Sequence, residues 1–153
     1  LDVAVRYQPA MSVVGLGGDF YDVIAGDVDG DGDGDGDRVF VIIGDVTGHG
    51  SEAVAAMAEL KAVIQSLLRG GAAVDAVCDQ ADLLLARRGM YATAQIAEVD
   101  GRSHRVRSVN AGHPYPVLRH ADGSVELLTG GHRPLLGLSG AESPATASAT
   151  WHF

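Results

Sequence analysis

One stretch leaves this chain little freedom of fold. Five apolar residues in a row, Val39-Phe40-Val41-Ile42-Ile43, run into Gly44-Asp45-Val46-Thr47-Gly48-His49-Gly50 and then into a long helical pattern. A short, β-branched apolar run without alternation reads as a buried strand. The turn behind it is rich in glycine, so backbone carbonyls can approach a ligand closely, and it carries one carboxylate, Asp45. A second acidic, glycine-rich segment, Gly17-Gly18-Asp19-Phe20-Tyr21-Asp22, opens another strand-like stretch. It offers Asp19 or Asp22 as a partner for Asp45. Paired carboxylates at strand ends suit a hard cation such as magnesium or manganese, which takes oxygen ligands. Water held by such an ion is a hydrolytic nucleophile, so the residues predict a metal-dependent phosphate hydrolase.

With 153 residues, the chain is long enough for one domain with a real core and is read as a single domain over residues 1–153. The formal charge of −9 argues against nucleic acid or an anionic membrane as a partner. Six of those negatives sit in one low-complexity stretch, residues 27–37, where Asp27, Asp29, Asp31, Asp33, Asp35 and Asp37 alternate mostly with glycine. Such a segment repels itself and favours turns, so it is expected to be a surface loop joining two antiparallel strands. Cys78 is the only cysteine, which excludes an internal disulfide and points to a reducing, cytoplasmic setting. Neither a secretory signal nor an apolar run long enough to span a membrane is visible. The chain opens on Leu1 rather than methionine, and the expectation is a segment of a longer protein.

Along the chain, alternation over Leu1–Gln8 predicts a half-buried strand ended by Pro9. Phe20–Ala25 predicts the next strand and Arg38–Gly44 a central buried one. Apolar residues at Ala53, Ala56, Met57, Leu60, Val63, Ile64, Leu67 and Leu68 predict a helix over Ser51–Leu68, stopped by Gly70-Gly71, with Ser51 as its N-cap. A second helix places Val74, Val77, Cys78, Ala81, Leu84 and Leu85 on its apolar face and Asp75, Asp79 and Asp82 opposite, with Gly89 as its cap. Tyr91–Val99 with Ser103–Asn110, and Pro116–Arg119 with Ser124–Leu128, predict hairpins, and Ala147–Phe153 a last strand. The plan is α+β, a helix pair covering an antiparallel sheet.

Taken in order, the motifs resemble the bacterial SpoIIE/RsbU type of PPM (PP2C-like) serine/threonine phosphatases. The matching residues are Gly17-Gly18-Asp19-Phe20-Tyr21-Asp22, Gly44-Asp45-Val46-Thr47-Gly48-His49-Gly50 and Asn110-Ala111-Gly112-His113-Pro114. Weaker matches are Ala92-Thr93-Ala94 and Pro134-Leu135-Leu136-Gly137-Leu138. The resemblance implies a PP2C-like antiparallel β-sandwich flanked by helices, with two Mg2+ or Mn2+ ions at one end. Asp45 would bridge the ions and carry the catalysis, the Val46 carbonyl would complete one coordination sphere, Asp19 would be the acidic partner, and Asp22 a second choice acting through water. The implied substrate is phosphoserine or phosphothreonine on a regulatory protein such as an anti-sigma-factor antagonist, and sensor domains would precede Leu1 in the parent.

The family also places metal aspartates further on, whereas no aspartate follows Asp122 here. The expectation is therefore a C-terminally incomplete domain with impaired activity. The alternative is a non-catalytic, degenerate phosphatase-like binding module. Among other residues, His49 offers either a proton to the leaving oxygen or a simple turn filler, and His113 a hydrogen bond that fixes its loop. Asn110-Ala111-Gly112 shapes a strand-ending turn, and Cys78 belongs to the core. His104, His120, His132 and His152 lack ligand spacing. The Asp-Gly repeat fails as a calcium loop because no reading frame supplies the closing glutamate.

Overall fold

The computed structural model describes residues 1–7, 17–26, 37–138 and 148–153. Strands β1 (Asp19–Ala25) and β2 (Arg38–Val46) come first, then helices α1 (Ser51–Arg69) and α2 (Val74–Arg88). Strands β3 (Ala92–Asp100), β4 (Arg105–Ala111), β5 (Val117–Arg119), β6 (Val125–Leu127), β7 (His132–Arg133) and β8 (Ala149–His152) follow. β1, β2, β3 and β4 lie side by side and antiparallel, while β7 runs parallel to β4 and β8 antiparallel to it along the same edge. β5 and β6 form a separate two-stranded ribbon. The architecture is α+β of the PP2C-like kind, with a mixed main sheet and two helices.

One face of the sheet is the core. Phe20, Ile24, Phe40, Ile42, Val46, Ala92, Ala94, Ile96, Val109 and Ala111 are buried there against Ala56, Leu60, Ile64 and Leu68 of α1 and Val77, Cys78, Ala81 and Leu85 of α2. Both helices follow the apolar spacing of the sequence. Gly89 closes α2 with φ 63°, the left-handed cap expected of it. Burial pushes the Cys78 thiol up to about 12, so this cysteine is an inert part of the core.

Three expectations change. Residues 1–7 form no strand, and Val3, Val5 and Tyr7 are about half exposed. Alternation alone does not make a strand where no neighbouring edge pairs with it; Gln8 and Pro9 fall outside the described residues. Gly50, not Ser51, is the N-cap of α1, because the backbone there takes φ 82°. Asp82 lies on the buried side of α2, at 1% exposure, rather than on its polar face. It accepts a hydrogen bond from the Gly137 N–H at 2.7 Å and sits 3.8 Å from the guanidinium of Arg133, itself 2% exposed. Asp79 takes the same arginine at 2.8 Å, and Asp75 takes Arg107 at 2.6 Å. The three aspartates thus pin α2 to the sheet and to the segment after β7. Of the Asp-Gly stretch, 27–36 fall outside the described residues; β1 and β2 on either side of it pair antiparallel, as expected.

Candidate metal site at the end of the sheet

Two strand ends bring the first carboxylates together. In the β1–β2 register Asp19 stands opposite Asp45, and in the β2–β3 register Asp45 stands opposite Thr93. Directly opposed residues of antiparallel strands project to the same face, so Asp19, Asp45 and Thr93 form a row across three strands on the face away from the helices. Desolvation raises the Asp45 pKa above its ordinary value, and the Asp19 charge adds to the effect, while nearby His113 opposes it. Burial and a neighbouring carboxylate thus both act against the Asp45 anion.

The glycines beside this row are shaped by it. A Cβ on Gly18 would lie 1.9 Å from the Val46 carbonyl oxygen and 2.9 Å from Asp45 Oδ1, so both oxygens crowd one point that only glycine leaves open. The Val46 N–H in turn donates to the Gly18 carbonyl at 3.0 Å. On Gly44 a Cβ would meet the Thr93 carbonyl at 2.4 Å. Thr47 ties the turn to the entry of β3, its N–H and hydroxyl both donating to the Tyr91 carbonyl at 2.9 and 3.0 Å. The buried Val46 side chain anchors the same turn in the core.

Asp22 goes elsewhere. Three residues from Asp19 on one strand, it points to the opposite face, where Gln65 of α1 donates to it and the Val23 N–H bonds its other oxygen. His49 is also apart from the row. It lines a cavity of about 320 Å³ together with Thr47, Gly48, Glu52, Ala53, Arg88, Gly89 and Met90, between the start of α1 and the end of α2.

Two residues join the row whose part the sequence did not disclose. His113 Nδ1 lies 2.8 Å from Thr93 Oγ1. Burial lowers the His113 pKa, while Asp45 and Asp19 pull it the other way. The sequence signal for them was their place in the resembling motifs Ala92-Thr93-Ala94 and Asn110-Ala111-Gly112-His113-Pro114, which gave neither a position beside Asp45. Asn110 shapes the turn as expected: its Oδ1 accepts from the His113 N–H at 3.0 Å, and its Nδ2 donates to the His113 carbonyl at 2.8 Å. Among the described residues, no three histidine, cysteine, aspartate or glutamate side chains converge as a ready ligand set. Of the residues the sequence offered as ligands, Asp19, Asp45 and the Val46 main chain lie together at this end of the sheet.

The family profile of Stage II sporulation protein E (SpoIIE) matches residues 35–152, most of the chain, including the Asp45 turn and the whole helix pair. The chain belongs to the SpoIIE family. Its solved relatives share the fold of this group of PP2C-type phosphatase domains. The RsbU and RsbW domains of a Mycobacterium tuberculosis protein align at 27% identity and TM-score 0.71, over 94% of this chain and 37% of that one. RsbX in complex with magnesium aligns at 17% identity and TM-score 0.72, over 96% and 66%. The PP2C phosphatase domain of SpoIIE from Bacillus subtilis, solved with a fragment of its regulatory domain, aligns at 15% identity and TM-score 0.68, over 89% and 38%. The chain thus spans between 37% and 66% of the length of these relatives. Among its described residues no helix is long and apolar enough to cross a membrane.

Proposed function

We propose that this chain carries the metal-binding end of a protein serine/threonine phosphatase that takes phosphoserine or phosphothreonine from a regulatory protein, such as an anti-sigma-factor antagonist. One observation carries the reading: Asp19 and Asp45 face each other at the sheet end, where burial and the Asp19 charge disfavour the Asp45 anion. Asp45, Asp19 and the Val46 carbonyl hold Mg2+ or Mn2+ in this proposal. Such an ion supplies Lewis acidity toward phosphoryl oxygens and makes a water nucleophilic at neutral pH. The chain's own part is to fix the oxygens: Gly18 admits the Val46 carbonyl, and Thr47 locks the turn. Asp22, engaged by Gln65, serves as a tie between β1 and α1 rather than as a direct ligand. The family resemblance and the magnesium held by RsbX favour this cation class. The RsbW domain beside the RsbU domain in the mycobacterial relative favours a regulatory protein as partner.

The activity of this chain alone is proposed to be low, because a second ion asks for more carboxylates than Asp19 and Asp45 supply. A second reading, a non-catalytic binding module, is favoured by the absence of a three-residue ligand cluster among the described residues. Manganese calorimetry on the chain and on Asp45→Ala, beside turnover of a small aryl phosphate, separates the two. Weak binding that disappears in Asp45→Ala and falls more in Asp19→Asn than in Asp22→Asn, with turnover rising in a chain extended beyond Phe153, supports the phosphatase. Binding indifferent to Asp45→Ala refutes the metal assignment. Metal binding without turnover in the longer chain leaves the binding module standing.

A further inference from the structure

His113 is held with more care than a loop needs. Asn110, 1% exposed, already fixes the main chain of His113 by bonding both its N–H and its carbonyl. Gln95 Oε1 accepts a further bond from Asn110 Nδ2 at 2.7 Å, so the clamp is itself anchored in β3. These bonds hold the main chain of the turn without using the His113 side chain. The bond between Thr93 Oγ1 and His113 Nδ1, at 2.8 Å, does something else: it sets the orientation of the ring. The hydroxyl can donate to Nδ1 or accept from it; in the tautomer where it donates, the ring proton stands on Nε2. Among the described residues no group bonds Nε2.

The place of this ring follows from the register. Thr93 is the neighbour of Asp45, which is the neighbour of Asp19, so the oriented imidazole stands at the end of the carboxylate row. It does not complete a three-residue ligand cluster with the two aspartates. A donor beside a cation site but outside its ligand set is placed to meet what the cation binds, and a phosphoryl group presents acceptor oxygens there.

We propose that His113 is a substrate-contact residue of this site, its Nε2–H donating to an oxygen of the phosphoryl group, with Thr93 and the Asn110–Gln95 clamp as positioning residues. The proposal rests on the reading of Asp19 and Asp45 as cation ligands and extends it to the phosphate monoester itself.

The test uses the whole chain, Mg2+ and inorganic phosphate as the probe, followed by calorimetry and by the His113 imidazole NMR signals. Phosphate added to the Mg2+-loaded chain is expected to shift the Nε2–H signal. His113→Ala is expected to weaken phosphate about tenfold, the loss of one hydrogen bond to an anion. His113→Gln, whose amide can reach the Nε2 position, should recover most of that loss. Thr93→Val should give an intermediate loss, and Mg2+ affinity should stay within about twofold in all three, as it would not if the site had collapsed. Phosphate affinity unchanged in His113→Ala overturns the proposal while leaving the metal reading intact. Equal losses of Mg2+ and phosphate in His113→Ala and His113→Gln overturn it in favour of a purely structural histidine. A chain that binds neither Mg2+ nor phosphate overturns both readings.

Discussion

Gly17 and Gly18 adjoin in one motif, yet the structure treats them oppositely. Among the described residues, a Cβ on Gly17 would meet nothing closer than the Asp19 nitrogen at 3.9 Å, an ordinary contact. On Gly18 it would press to 1.9 Å from the Val46 carbonyl oxygen. Relieving that overlap means moving either the end of β1 or the Asp45–Val46 turn by more than an ångström. Overpacking of this kind costs about 1–3 kcal/mol. Loss of the Val46 N–H bond to Gly18 adds about 0.5–1.5 kcal/mol. The sum is roughly 1.5–4.5 kcal/mol, and at about 2–4 °C per kcal/mol for a chain of this size it predicts a melting point lower by about 3–18 °C in Gly18→Ala. Calorimetric melting of Gly17→Ala and Gly18→Ala in the absence of metal measures it, and Gly17→Ala should melt within about 2 °C of the parent. The displaced carbonyl should also weaken manganese binding in Gly18→Ala alone. Equal melting points for the two variants, or a Gly18→Ala chain that binds manganese as tightly as its parent, would refute the idea that this glycine makes room for a liganding carbonyl.

Further expectations concern charge. Arg133→Met strands the buried Asp82, and breaking a buried pair costs about 3–5 kcal/mol, whereas Arg133→Met combined with Asp82→Leu should recover much of that loss; urea unfolding of the three chains checks it. For the metal-free protein, the folded Asp45 carboxyl holds its proton at higher pH than the unfolded one, whose ordinary value is 3.8. Its contribution to stability is therefore fully present below that value and declines as pH rises through the folded pKa. Asp45→Asn should thus flatten this fall and make the apo chain more stable than its parent at neutral pH, while abolishing the melting-point gain that Mg2+ gives the parent. Melting curves from pH 3 to pH 8, with and without Mg2+, test both halves, and a variant less stable than its parent throughout would count against the carboxylate pair.

Much of the plan was legible in the residues because it depends on local spacing. The unbroken apolar run of β2, the helical periods of α1 and α2, the Gly89 cap and the Asp100-Gly101 and Asp122-Gly123 turns each carry their own signal within a few residues. The Asp19 and Asp45 segments stood out in the same way, since glycines around a carboxylate at a strand end are a local pattern. Asp22, kept beside Asp19 as a candidate partner of Asp45, lies three residues along the same strand and faces the helices instead. What only the tertiary structure decided is what depends on pairing between distant segments. It set Asp19 against Asp45 and Asp45 against Thr93, brought His113 to the end of that row, buried Asp82 under Arg133, and left residues 1–7 without a partner strand among the described residues. Register between strands is set by matching the apolar pattern of both to one buried face and by the connection between them, so neither strand shows it alone. A carboxylate's neighbour across the sheet, unlike its neighbour along the chain, appears only once the strands are laid side by side.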